Sequence, residues 1–204
     1  MKIEDILIKP DEDLLDPKDD AVFKFLFTSE NEYSRGALKS LISELTGHEV
    51  KELRISMNEP PVEFVGDKQI RFDVNCLFND GQRANVEMCM YPNENEAGRS
   101  ELFAARLFLT QETKGKKYNE IADAYQISII DKKELTNDDS VLHVYEFYDS
   151  ENKVSLGGKI HIIHIELKKY DRLEKTTKNM DGKERWGAYL KWIKNKEKID
   201  LVNE

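Results

Sequence analysis

From Asp19 onward the apolar positions fall at Val22, Phe23, Leu26 and Phe27, the three- and four-residue spacing of one helical face. Asp19 and Asp20 stand just ahead as helix-start residues. Leu38, Leu41, Ile42 and Leu45 repeat the spacing, with Ser34 as a candidate cap and Gly47 as the stop. The adjacent prolines Pro60 and Pro61 then impose an extended segment. Residues 70–78 and 83–91 read as two strands, and 99–115 as a helix ending at Gly115, with Leu102, Phe103, Leu107 and Leu109 on its apolar side. Strands follow at 125–131, 141–149 and 158–167, and an amphipathic helix over 184–201 carries Trp186, Leu190 and Ile193 on one side. This order predicts an α/β (α+β) domain built around one sheet.

The first two strands enclose Asn79-Asp80-Gly81 and carry one acid each, Asp73 and Glu87. Loop length decides whether the acids share a face. A two-residue Asp-Gly loop would place Asp73 opposite Met88 and turn Glu87 away. A three-residue loop, a type I turn closed by a left-handed glycine, pairs Phe78 with Gln82 and sets Asp73 opposite Glu87. In that register Asp73, Glu87 and Cys89 share one face. Val74, Cys76, Phe78, Val86, Met88 and Met90 share the other, and its apolar character favours this register, since a one-residue slip flips every side chain. Two opposed carboxylates repel unless a cation lies between them, and paired hard oxygens are what magnesium requires. Two acids on the wet face of a half-exposed hairpin would leave the same pattern.

Composition narrows the classes. No apolar run in the 204 residues approaches the ~18 needed to span a bilayer, and the start MKIEDILIKPDEDLLD has no signal-peptide pattern, so a cytoplasmic location is expected. The formal net charge of -9 opposes wholesale nucleic-acid binding, yet between Lys168 and Lys198 bases outnumber acids roughly two to one. Cys76 and Cys89 lie in no zinc-type spacing and, on opposite faces, form no disulfide. His161 and His164 likewise occupy opposite faces of one strand.

The segments LLDPKDDAVFKFLF, DKQIRFDV and NVEMC, then Arg99, GKKYNEIADAYQISIID and IHIIHIELKKY, occur in the order found in one family. Across residues 14–170 the chain resembles the Rpn-type recombination-promoting nucleases and transposases of the PD-(D/E)xK superfamily. The resemblance implies a restriction-endonuclease-like core, with a central mixed β-sheet flanked by helices, and Mg2+- or Mn2+-dependent cleavage of double-stranded DNA. It divides the chain into an arm (1–16), a nuclease-like domain (17–170) and a C-terminal helical extension (171–204) that relatives carry further, and it leaves a homodimer open. Asp73 matches the first metal-binding acid and Glu87 the second, with the Met88 carbonyl as a further ligand. Asp20 matches a family aspartate, as helix cap or helper. Arg99 matches an arginine able to contact phosphate, or is a surface cation. Lys114, Lys116 and Lys117 are candidate backbone contacts, or solvated charge.

Two positions depart from the family pattern. Phe72 replaces a proline, and Cys89 stands in the catalytic set where the superfamily has lysine and the family often glutamine. A thiol orients water poorly, and a thiolate would add negative charge beside two acids. Arg99, Arg106 and Lys68 are the candidate replacements. Glu166-Leu167-Lys168, with Asp149 upstream, is a literal ExK, but the family shows a similar ending outside its catalytic motif, and a strand-end ion pair is expected there. Three functions follow: a metal-dependent endonuclease of mobile-element type, a catalytically degenerate nuclease fold that binds nucleic acid or protein, or a structural interaction module.

Overall fold

The computed structural model describes residues 14–59, 70–195 and 197–198. Most of the expected arm, the Pro60-Pro61 segment and Lys68 lie outside the described residues. Helix α1 (Asp20–Thr28) starts where the Asp19 carboxylate accepts the Ala21 and Val22 amides, and α2 (Glu32–Thr46) starts where Asn31 accepts the Ser34 amide at 2.9 Å. Asn31, not Ser34, is therefore the cap. Gly47 ends α2 at φ 74°, a conformation that a side chain would strain.

The strands are β1 (Leu53–Ile55), β2 (Val74–Phe78), β3 (Gln82–Cys89), β4 (Ala124–Ile130), β5 (Leu142–Tyr145) and β6 (Ile160–Glu166). They form one mixed sheet in the order β1-β2-β3-β4-β6-β5, with β3, β4 and β6 parallel and the other pairings antiparallel. The short β1 is an addition to the sequence reading. Helix α3 (Glu96–Leu109) makes the β3-to-β4 crossover, and α4 (Gly182–Trp192) follows β6, opened by a reciprocal Asp181–Glu184 capping box.

Two layers cover the sheet. On one face Phe23 and Phe27 of α1, four leucine and isoleucine side chains of α2, and Ala188, Leu190 and Trp192 of α4 pack on Val74, Cys76, Phe78, Val86, Ile127 and Ile129. Helix α3 covers the other face. It begins earlier and ends sooner than its pattern suggested, and Leu102 and Leu109 point to solvent while Phe103, Ala104 and Leu107 are buried. The reason is the surface beneath it. Asn85, Glu87, Gln126, Ser128 and His164 line that side of the sheet, all buried, so α3 presents the small Ser100 and Ala104 there. The face expected to be wet is a buried polar layer.

Candidate active site

The hairpin register places the acids. Phe78 pairs with Gln82 and Val74 with Val86, so the loop has three residues and Asp73 lies one step beyond the ladder, opposite Glu87. The loop geometry differs from the expected type I form: Asn79 (φ 43°) as well as Gly81 (φ 92°) is left-handed. The Asn79 side chain explains it. Its oxygen accepts the Lys51 amide at 2.9 Å, its amide group donates to the Glu49 carbonyl at 2.9 Å, and these bonds offset the αL cost.

Glu87 sits on the α3 side, 1% exposed. Its Oε1 accepts the Asp73 amide at 2.9 Å and the Asn85 side-chain amide at 3.0 Å, and its Oε2 accepts Arg99 Nη2 at 2.6 Å. Burial, then the charge of Asp73, push the Glu87 carboxyl above its ordinary range, and the Asn85, Asp73 and Arg99 donors only partly offset this. Burial works against the Arg99 charge, but Glu87 and Glu96 outweigh it and hold the guanidinium firmly protonated. Arg99 also donates to Glu96 at 3.0 Å and lies over the Phe103 ring.

Asp73 occupies a bend at the end of β2. Its Oδ2 accepts the Met88 amide at 3.2 Å, and its Oδ1 lies 3.2 Å from Lys24 Nζ, from α1 in the opposite layer. Lys24 Nζ is also 2.6 Å from Asp20, one turn earlier. Asp20 is thus an ion-pair partner within α1, while Asp19 does the capping. The Cys89 carbonyl accepts the Asp131 amide across β3 and β4, and carbonyls alternate along a strand, so the Met88 carbonyl turns to the Asp73 side.

Cys89 carries no charge into this arrangement. Burial, and next the nearby Glu96, push its thiol up to about 12, so it is neutral near pH 7. Neither of the two free cysteines is paired, and Cys76 is buried in the opposite core. Arg106 lies roughly 10 Å further along α3. The exposed Lys114, Lys116 and Lys117 follow the far end of α3 and precede the start of β4, so the structure does not bring them to Asp73 and Glu87.

The literal ExK at 166–168 resolves differently. Glu166 accepts the Leu135 amide and the Thr136 amide and hydroxyl, and its cation is the buried Lys169 at 3.3 Å rather than the exposed Lys168. His161 stacks on Tyr125, and His164 meets Ser100 on the other face, as their parity requires.

The model of the PD-(D/E)XK nuclease family transposase matches residues 17–204. The chain belongs to this family. No curated protein and no solved structure matches it. The six-stranded mixed sheet between helical layers accords with a PD-(D/E)XK nuclease core. Among the described residues no helix is long and apolar enough to cross a membrane.

PD-(D/E)XK nucleases generally use divalent metals, and oxygen groups of the kind such ions take are present here. Asp73, Glu87 and the Met88 carbonyl are hard oxygens converging on one strand end. Each acid already holds a cationic side chain. Among the described residues no group of three or more His, Cys, Asp and Glu side chains could hold a metal ion, so the main-chain carbonyl and water would complete the shell. Lys24 and Glu96 escaped the sequence reading. The available signal for Lys24 was its i,i+4 spacing from Asp20.

Proposed function

We propose that the protein is a metal-dependent endonuclease that hydrolyses phosphodiester bonds of double-stranded DNA, in the manner of mobile-element nucleases. One observation carries the reading: two acids from adjacent strands share one partly open strand end, and each holds a cation delivered from a different helical layer. A structural hairpin needs no such convergence. Asp73, Glu87 and the Met88 carbonyl would hold Mg2+ or Mn2+. Bound there, the ion supplies stabilisation of charge on a phosphate oxygen and a more acidic water. Asn85 and the Asp73 amide fix the Glu87 carboxylate from behind. Arg99, with 32% of its side chain exposed, presents remaining donors to a phosphate oxygen.

The test is cleavage of supercoiled plasmid in Mg2+ or Mn2+. Asp73→Ala and Glu87→Ala should each lose roughly 10³-fold in rate, the worth of several kcal/mol of charge stabilisation. Equal cleavage by native and variant chains would assign the activity to a contaminant. A degenerate, binding-only fold is the second reading, favoured by the neutral Cys89 at the lysine position. It predicts Mn2+ binding without cleavage.

A further inference from the structure

The nuclease reading leaves one chemical gap. Strand β3 offers no cation two residues beyond Glu87, where Cys89 stands and a cysteine carries no positive charge in either protonation state. A phosphodiester in flight develops negative charge on oxygens that a metal alone shares unevenly, and a fixed cationic donor beside the metal commonly contributes about 10²–10³ in rate. The sequence offered Arg99, Arg106 and Lys68 as replacements. Arg99 holds Glu87 and Glu96 with its two terminal nitrogens and keeps only its remaining donors for a phosphate, and Arg106 is displaced along α3.

We propose that Lys24, reaching in from α1, is the cation that serves this site in place of the missing strand lysine, and that Asp20 is its positioning residue. The inference rests on the nuclease reading above. Three features support it. First, Lys24 Nζ lies 3.2 Å from Asp73 Oδ1, on the acid that would hold the metal, so its ammonium is beside any phosphate that binds there. Secondly, it has a second anchor. Asp20 grips it at 2.6 Å from within the same helix, so when Asp73 is engaged elsewhere the ammonium stays near the site with a donor released. An ammonium has three donors, and Asp20 and Asp73 use two of them. Thirdly, its backbone is fixed. Phe23 beside it is fully buried and Phe27 nearly so, which seats α1 against the sheet and fixes where Lys24 starts. Its side chain is 29% exposed, wet enough to exchange partners and close enough to the acids to act.

In this arrangement Lys24 has two roles. Before a metal binds, it balances the Asp73 charge. With Asp73 holding the ion, Lys24 keeps Asp20 and turns its freed donor to a non-bridging phosphate oxygen or the attacking water. The two roles move two measurements in opposite directions, which separates catalysis from scaffolding.

The experiment compares native chain, Lys24→Ala, Lys24→Arg, Asp20→Asn and the double variant Lys24→Ala/Cys89→Lys. Mn2+ affinity is read by paramagnetic resonance without DNA, and plasmid cleavage is read separately. Lys24→Ala should bind Mn2+ several-fold more tightly, because a competing cation has left Asp73. It should cleave about 10²–10³-fold more slowly. Lys24→Arg should recover part of the rate, Asp20→Asn should lose a smaller part, and the double variant should regain activity by restoring a strand lysine. Weaker Mn2+ binding by Lys24→Ala, or cleavage within twofold of native, overturns the role of Lys24 while leaving the nuclease reading intact. A native chain that binds Mn2+ and never cuts overturns the nuclease reading, and the phosphate role of Lys24 with it.

Discussion

Two carboxylates on the strands that flank β4, Glu87 on β3 and Glu166 on β6, have similar surroundings and opposite characters. Both are almost fully buried, and both accept backbone or amide donors and hold a cation. The difference lies in the cation. Glu166 holds Lys169, whose side chain is 0% exposed and which is spread over Thr136, Asp138, the Ser140 carbonyl and His143. That cluster ties residues 135–143 to the end of β6 and closes on itself. Glu87 and its neighbour Asp73 hold Arg99 and Lys24, long side chains that reach solvent and can be exchanged. Saturation of a fully buried cation marks the structural cluster. Convergence of exchangeable partners marks the candidate site. The literal ExK motif pointed to the first, and the register of one hairpin pointed to the second.

Removing the two cations should expose this difference. Lys169→Met leaves the buried Glu166 without its ammonium partner, and breaking such a pair costs about 3–5 kcal/mol. Urea unfolding should show a loss of that order, Mn2+ should not restore it, and plasmid cleavage per folded molecule should match native. A loss under about 1 kcal/mol would mean that the cluster is not locked. Arg99→Ala should cost less, about 1–2 kcal/mol, because Arg99 is partly solvated where Lys169 is fully buried. Here Mn2+ should help. The variant's melting temperature should rise more with Mn2+ than the native one does, since an ion binding only the folded state stabilises it by mass action. Equal rises in both would break the contrast between exchangeable and locked cations.

The hairpin was legible because its physics is local. Loop length and the apolar set Val74, Cys76, Phe78 and Val86 fix the register, and the register fixes Asp73 against Glu87. The loop conformation was less legible, because Asn79 takes its hydrogen bonds from residues 49–52, far away in sequence. Lys24 was hidden for the same reason. Its helix reads as a core stripe, and only the tertiary packing of α1 turns the residue beside Phe23 toward Asp73. Helix α3 misled most. Apolar periodicity assumes an apolar surface beneath the helix, but here Gln126, Ser128 and His164 lie under it, so Leu102 and Leu109 are left outside while Ser100 and Glu96 go in. The strand β1 carries only three residues at a sheet edge, too few for a period to show.

The smallest expected effect comes from His164, which lies on β6 between the two clusters. Its Nε2 meets Ser100 at 3.0 Å, its Nδ1 has no partner, and Tyr145 packs against its ring. Burial lowers its affinity for a proton. Glu96 and Glu166 act to raise it and His143 to lower it further, and burial prevails. The sign follows from linkage. A histidine whose folded value lies below the ordinary 6.5 binds protons more readily when unfolded. Its stabilising contribution is therefore complete above pH 6.5 and is lost as the pH falls through 6.5 toward the folded value. Thermal melts from pH 7.5 down to 5.5 should show falling stability, with a shallower fall in His164→Gln, which keeps a polar group under α3 but cannot titrate. Parallel native and variant curves would mean that other groups carry the acid sensitivity, and that the polar layer under α3 tolerates a charged imidazole.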